Sequence, residues 1–321
     1  MRGADYLIKR VAFAILTIFF AATLNFIIFR AAPGDVASAL RCRNCPIEFK
    51  EALREEFGLD KPMIEQYGIY LKELFQGNMG SSFVSQQPVW DELKTPLLNT
   101  LPMLALGTAF SIVFGIAAGV IAAWRRGTWA EWTQVSGSLF FYAMPTQWLG
   151  LMLIILFAGI LPISGISDPF LEFSDPSFWT TFVDRMKHMI LPALTLGLVL
   201  FGEYALITRS AVLQTLGEDY VLTARAKGLS NRAIVFRHGL RNALLPIVSL
   251  IALSVGYLVG GSILVEAVFS YPGIGLEIYE AVFERDFPML QGAFLILTIS
   301  VVLANLVADL LYFKLDPRVV E

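Results

Sequence analysis

The side chains able to do chemistry are few. The chain holds two cysteines and two histidines. Cys42-Arg43-Asn44-Cys45 pairs the two thiols closely, and a CxxC pair can be a disulfide, half of a zinc site or a redox motif. Structural zinc needs four ligands. A thioredoxin-like pair accompanies a βαβ pattern, and none is readable here. The sequence contains no HExxH and no GxxxxGK[ST], nor a single Gly-Lys dipeptide, so neither a metalloprotease helix nor a phosphate-binding loop is encoded. An intramembrane serine protease would need a histidine within an apolar span. His188 stands at the start of one and His238 in a polar loop. No catalytic residue is assigned, and no cofactor is expected in this chain. The remaining ionisable candidates are Glu203, Glu266 and Asp309, which lie within apolar sequence. Each falls within about six residues of a span end, where anchoring at the interface is expected rather than an ion path.

These groups are positioned by an apolar chain. Of 321 residues, 56% are hydrophobic and 16% charged, with a mean hydropathy of +0.65. A soluble domain averages about 25% charged, so a soluble enzyme is excluded, and disorder is excluded by the high hydrophobicity. Six segments are long enough for the about 20 helical residues that cross a bilayer: Val11–Phe29, Thr100–Trp124, Thr133–Leu161, Met189–Thr208, Leu244–Val265 and Met289–Tyr312. Unpaired backbone is not tolerated in lipid, and these runs are continuous rather than alternating, so they read as helices and the fold as all-α. Pro145 predicts a kink or break in the third. Gly256 and Gly260 form a GxxxG pair suited to close helix approach in the fifth.

Orientation follows lysine and arginine. With the amino terminus inside, the inner segments 1–10, 125–132, 209–243 and 312–321 carry 13 basic residues in 63, against 11 in 117 for the outer segments. Both termini are therefore expected in the cytoplasm of a cell (inner) membrane. Arg2, Lys9 and Arg10 resemble a signal-peptide n-region, but the 19-residue Val11–Phe29 run exceeds an h-region,, so an uncleaved first span is expected. The chain divides into a cytoplasmic segment 1–10, a first span 11–29, an extracytoplasmic loop 30–96 and a core 97–321. The outer loop reads as two short amphipathic helices, 47–57 and 63–75. Within it, an oxidising compartment favours a local Cys42–Cys45 disulfide, with free thiols and metal or redox work as alternatives.

The longest inner loop, 209–243, carries two helix signatures in series. Asp219 places an acid at a positive helix end, Lys227 lies in the last turn and Gly228 suits a C-cap,. A helix of about nine residues, ~14 Å long, is too short to stand alone. It needs a docking surface, and Tyr220, Val221 and Leu222 are expected to face one. Ser230 caps the second helix, whose Arg232, Arg237 and Arg241 would also suit anionic lipid headgroups,.

The stretch Glu218-Asp219-Tyr220-Val221-Leu222-Thr223-Ala224-Arg225-Ala226-Lys227-Gly228-Leu229 resembles the EAA-type coupling loop of ABC-importer permeases, and more closely the oligopeptide/dipeptide/nickel branch. The resemblance extends over nearly the whole chain. It includes Phe57–Pro62 (FGLDKP), Gly77–Phe83 (GNMGSSF), His188–Pro192, Arg237–Pro246, Val265–Gly275 (VEAVFSYPGIG), Arg285–Pro288 (RDFP) and Asp316-Pro317-Arg318. The general EAA glutamate is absent, Leu222 standing in its place, and Cys42–Cys45 is foreign to the pattern. The resemblance implies a type I importer permease with six transmembrane helices. Its partners would be a second homologous permease subunit, two ABC ATPase subunits holding ATP and Mg, and an extracytoplasmic substrate-binding protein, with membrane lipid around it and no nucleic acid. The Asp219–Gly228 helix would insert into the ATPase, and peptides would be the cargo. The reading without that resemblance is an ion-gradient-driven secondary transporter or channel.

Overall fold

A computed structural model describes residues 2–31, 61–173 and 176–315. Its helices are α1 (Arg2–Ala31), α2 (Met63–Phe75), α3 (Val89–Trp124), α4 (Trp129–Ala143), α5 (Thr146–Phe157), α6 (Phe178–Thr215), α7 (Asp219–Ala226), α8 (Leu240–Phe269), α9 (Ile274–Glu284) and α10 (Phe287–Leu315). Short helical turns fill part of the links, including Asn231–Ala233 and a π-helical turn, Ile234–Gly239, that leads into α8. The architecture is all-helical, as expected. Four of the helices, Leu7–Arg30, Val89–Trp124, Phe178–Thr215 and Phe287–Val307, are long and apolar enough to cross a membrane, and α4 with α5 makes a fifth if counted as one bent span.

α3 and α6 form the spine. Gly107, Gly115 and Gly119 recur at helical spacing and lay one face of α3 directly on α6. A Cβ at Gly107 would meet the Ala193 carbonyl at 2.7 Å, and one at Gly119 the Ala205 carbonyl at 2.5 Å. Small residues let membrane helices approach until backbones touch, which supplies the packing that water cannot drive in lipid. Gly202 does the same for α4, where its Cβ would lie 2.8 Å from the Tyr142 amide. The main core cluster joins Leu93 and Met103 of α3, Leu191 of α6, Val265 and Phe269 of α8, Ile278 of α9 and Ala293 of α10.

Several boundaries differ from the sequence reading. The spine helices start at Val89 and Phe178, not Thr100 and Met189. Their first turns contain acids, threonines or aromatics and so stand outside the apolar windows, yet nothing there breaks a helix. Pro192, within α6, is accommodated without a break. The third apolar segment is cut at Met144 and Pro145, and α4 and α5 meet at 108°. Pro145 caps α5 with φ −57° and ψ 129°, an extended backbone that cannot continue a helix. The expected 63–75 helix is present as α2. The expected 47–57 helix, Cys42, Cys45 and Phe57–Asp60 of the FGLDKP match lie outside the described residues, as do the surroundings of Gly256, Gly260 and His238.

Candidate functional site

α7 begins after Glu218 with Asp219 in its first turn and ends at Ala226. Its C-terminus closes as a Schellman motif. The Gly228 amide donates to Arg225 O at 2.9 Å and the Leu229 amide to Ala224 O at 3.3 Å, with Gly228 at φ +77°. That left-handed conformation is open to glycine at little cost. Ser230 starts the next turn as expected, its Oγ accepting from the Ala233 amide at 3.3 Å.

The seat of α7 corrects one expectation. Val221 is fully buried, and it packs with Ala224 against Ile234 and Leu216 of the same chain. Positions i and i+3 share a helix face, so Val221 and Ala224 turn inward together. Tyr220 and Leu222 point elsewhere, 39% and 59% exposed. Asn242 at the start of α8 donates to the Tyr220 hydroxyl at 2.6 Å. α7 is therefore held by its own chain, and the residues left outward are Glu218, Asp219, Leu222, Thr223, Arg225, Ala226, Lys227 and Leu229. Arg225 and Lys227 form no ion pair among the described residues. The Ile234 seat and the Asn242 bond escaped the sequence reading, although the Val221/Ala224 spacing carried the signal for an inward face.

Around α7 the bundle end is tied together. Arg209 of α6 pairs with Glu131 of α4, Nε donating at 2.9 Å, and Glu131 also accepts from the Gly127 amide at 2.6 Å. Val212, Val235 and Ala243 join α6, the π-helical turn and α8 in a second apolar cluster with Val120 of α3. A cavity of about 320 Å³ lined by Trp124, Arg126, Leu213, Arg225 and Val235 separates α7 from the end of α3. α7 is thus joined to the end of α6 through Leu216 and to the turn leading into α8 through Ile234.

The opposite end shows why the other motifs are spaced as they are. Glu266, fully buried at the end of α8, accepts from Thr100 Oγ1 at 2.8 Å and from the Gly275 and Leu276 amides at 2.7 and 3.0 Å. It caps α9 with a carboxylate where the helix is positive. Any Cβ at Gly273 would strike Glu266 and Thr100. VEAVFSYPGIG is therefore a helix-turn-helix clamp, and Glu266 is a structural acceptor rather than an interfacial anchor. Asp286 of RDFP caps α10 through the Met289 amide at 3.2 Å and binds Ser82 Oγ and the Phe83 amide of GNMGSSF. His188 Nδ1 lies 2.9 Å from Asp184 O within α6. Among the described residues no group of three or more His, Cys, Asp and Glu could hold a metal ion.

Residues 115–321 match the family described as binding-protein-dependent transport system inner membrane component, and residues 4–104 its N-terminal companion. The chain is 39% identical to the di/tripeptide transport system permease protein DppB of Pseudomonas aeruginosa, over 98% of both chains. It is 38% identical to the dipeptide transport system permease protein DppB of Escherichia coli K12. It is 36% identical to the glutathione transport system permease protein GsiC of the same strain, each again over 98% of both chains. Matched by that family's model over residues 115–321 and by relatives over 98% of its length, this chain belongs to the family of binding-protein-dependent transport system inner membrane components.

Proposed function

We propose that this permease forms half of the pore of an ATP-driven peptide importer and that α7 is the handle its ATPase grips. The observation that carries the reading is the two-sided character of α7. Its inner face is satisfied by Ile234 and Leu216, while Leu222 stays exposed beside Arg225 and Lys227. A helix so short persists only when packed, and this one is packed yet still presents an apolar and basic knob. Such a knob suits a protein cleft with an acidic rim, each rim pair adding little by itself. Because α7 joins the ends of α6 and α8, pulling on it would rock both.

The peptide cargo is supported by the relatives' names. α8, 30 residues long, would serve as the sixth span beside the four long helices and the α4–α5 pair. Both termini would then lie in the cytoplasm with α7, and residues 30–96 outside, facing a substrate-binding protein. A second permease would complete the pore and two ATPases would supply ATP and Mg. Purified with these partners in liposomes, the complex should take up dipeptides only with ATP. Uptake by this chain alone without nucleotide would overturn the proposal.

A further inference from the structure

Three carboxylates, Glu203, Glu266 and Asp309, interrupt the apolar stretches of long helices, and the structure separates their roles. Glu266 is consumed by the α9 clamp. Asp309 of α10 pairs with Arg10 of α1 at 2.9 Å. Glu203 of α6 makes no hydrogen bond or ion pair among the described residues, and the 252–261 stretch of α8 contains no cation in its sequence.

Glu203 is also deeper than an interfacial anchor. α6 continues to Thr215, so Glu203 lies about 9 Å, at 1.5 Å per residue, beyond Arg209 and its ion pair with Glu131. The exposed Trp129 and Trp132 mark the interface at that end, where such rings collect. Gly202, next to Glu203, presses on Ser138 and Tyr142 of α4, about two to three turns further in than Trp132. A carboxylate at that depth is costly against lipid and faces a bundle interior or an aqueous path.

The face it occupies is only partly covered by its own chain. Tyr204, Ala205 and Thr208 turn onto α3 and Gly202 onto α4. Glu203 shares the remaining stripe with Val199, Leu206, Ile207 and Ser210, all half-buried or exposed. We propose that Glu203 lines the aqueous path of the assembled transporter and receives the ammonium group of the passing cargo, the amino terminus of a peptide. The inference rests on the peptide-permease reading and adds to it a named contact inside the membrane. A single carboxylate on an apolar wall attracts a cation without holding it through several ligands, which lets cargo move on.

The test uses the complete transporter in nanodiscs and liposomes. In a chain with both cysteines changed to serine, Glu203→Cys should react with a water-soluble, membrane-impermeant cationic thiol reagent, and dipeptide should slow the reaction. Glu203→Gln should lower dipeptide uptake about tenfold or more, the range for a hydrogen bond to a charged group, and Glu203→Asp should recover much of it. An unreactive cysteine, or full uptake by Glu203→Gln, overturns the inference. Loss of complex assembly in Glu203→Gln also overturns it, by showing that a cation of the second permease is the partner. If the wild-type complex takes up no peptide while the cysteine reacts, the peptide reading fails and the aqueous placement stands.

Discussion

Adjacent residues of α7 should separate folding from coupling. Val221 is fully buried against Ile234, whereas Leu222 is 59% exposed. Val221→Ala removes two methyl groups from a packed seat. At about 0.8 kcal/mol per methylene-sized group, plus a cavity contribution, the cost is about 1.5–2.5 kcal/mol. That loss falls on the attachment of α7 to the bundle. Leu222 belongs to none of the apolar clusters, so Leu222→Ala should change stability by less than about 0.5 kcal/mol. If an ATPase cleft covers Leu222, the same truncation forfeits burial. Full burial of leucine is worth about 1.5–3 kcal/mol, and with three-fifths of the residue still open the loss is about 1–2 kcal/mol. That weakens ATPase binding about five- to thirtyfold. The assay is titration of nanodisc-held permease with purified ATPase, run beside thermal unfolding of the permease alone. Unchanged affinity for Leu222→Ala, with weakened affinity for Val221→Ala only, would refute the handle and leave α7 a structural element.

Three further outcomes are expected. Gly119→Leu drives a side chain into the Ala205 carbonyl, 2.5 Å from the ideal Cβ position, and should destabilise the α3–α6 spine by about 3 kcal/mol, seen as a lowered thermal midpoint; an unchanged midpoint would show that the helices separate freely. Asp286→Ala strips the acceptor from Ser82 and the Phe83, Val84 and Met289 amides. It should cost about 3 kcal/mol or more and raise hydrogen exchange at residues 82–84, with native protection there counting against the clamp. Glu277 of α9, outside the long spans, has its carboxyl pushed up to about 7 from 4.5, by burial first and then by Glu280, Glu92, Glu284 and Glu266. Between those values the folded chain keeps a proton that the unfolded chain has lost, so this group's contribution to stability falls as pH rises from 4.5 to 7. Glu277→Gln should therefore raise the thermal midpoint at pH 8 and leave it near wild type at pH 4; an equal gain at both would refute the assignment.

What the sequence determined by itself was the set of features governed by short-range rules. A bilayer demands about 20 apolar residues per span, so Val11–Phe29 could be read as a helix from composition alone. Pro145 announced the break between α4 and α5, because its ring disfavours helical backbone at Met144. Asp219, Gly228 and Ser230 bounded α7 and its successor through capping chemistry that acts within a few residues. Tertiary structure decided everything that depended on which face meets which. Val221 turns inward because Ile234 lies beneath it, and Leu222 is left outward by the same rotation. Glu266 and Asp309 became partnered groups through Thr100 and Arg10, far away in the chain, while Glu203 found no partner among the described residues. GNMGSSF and RDFP read as separate motifs until Asp286 joined them across 204 positions of sequence. Residues that distant meet only when whole helices pack, and the glycine stripes on α3 and α6 that set this packing say where a helix can be approached closely, not by which partner.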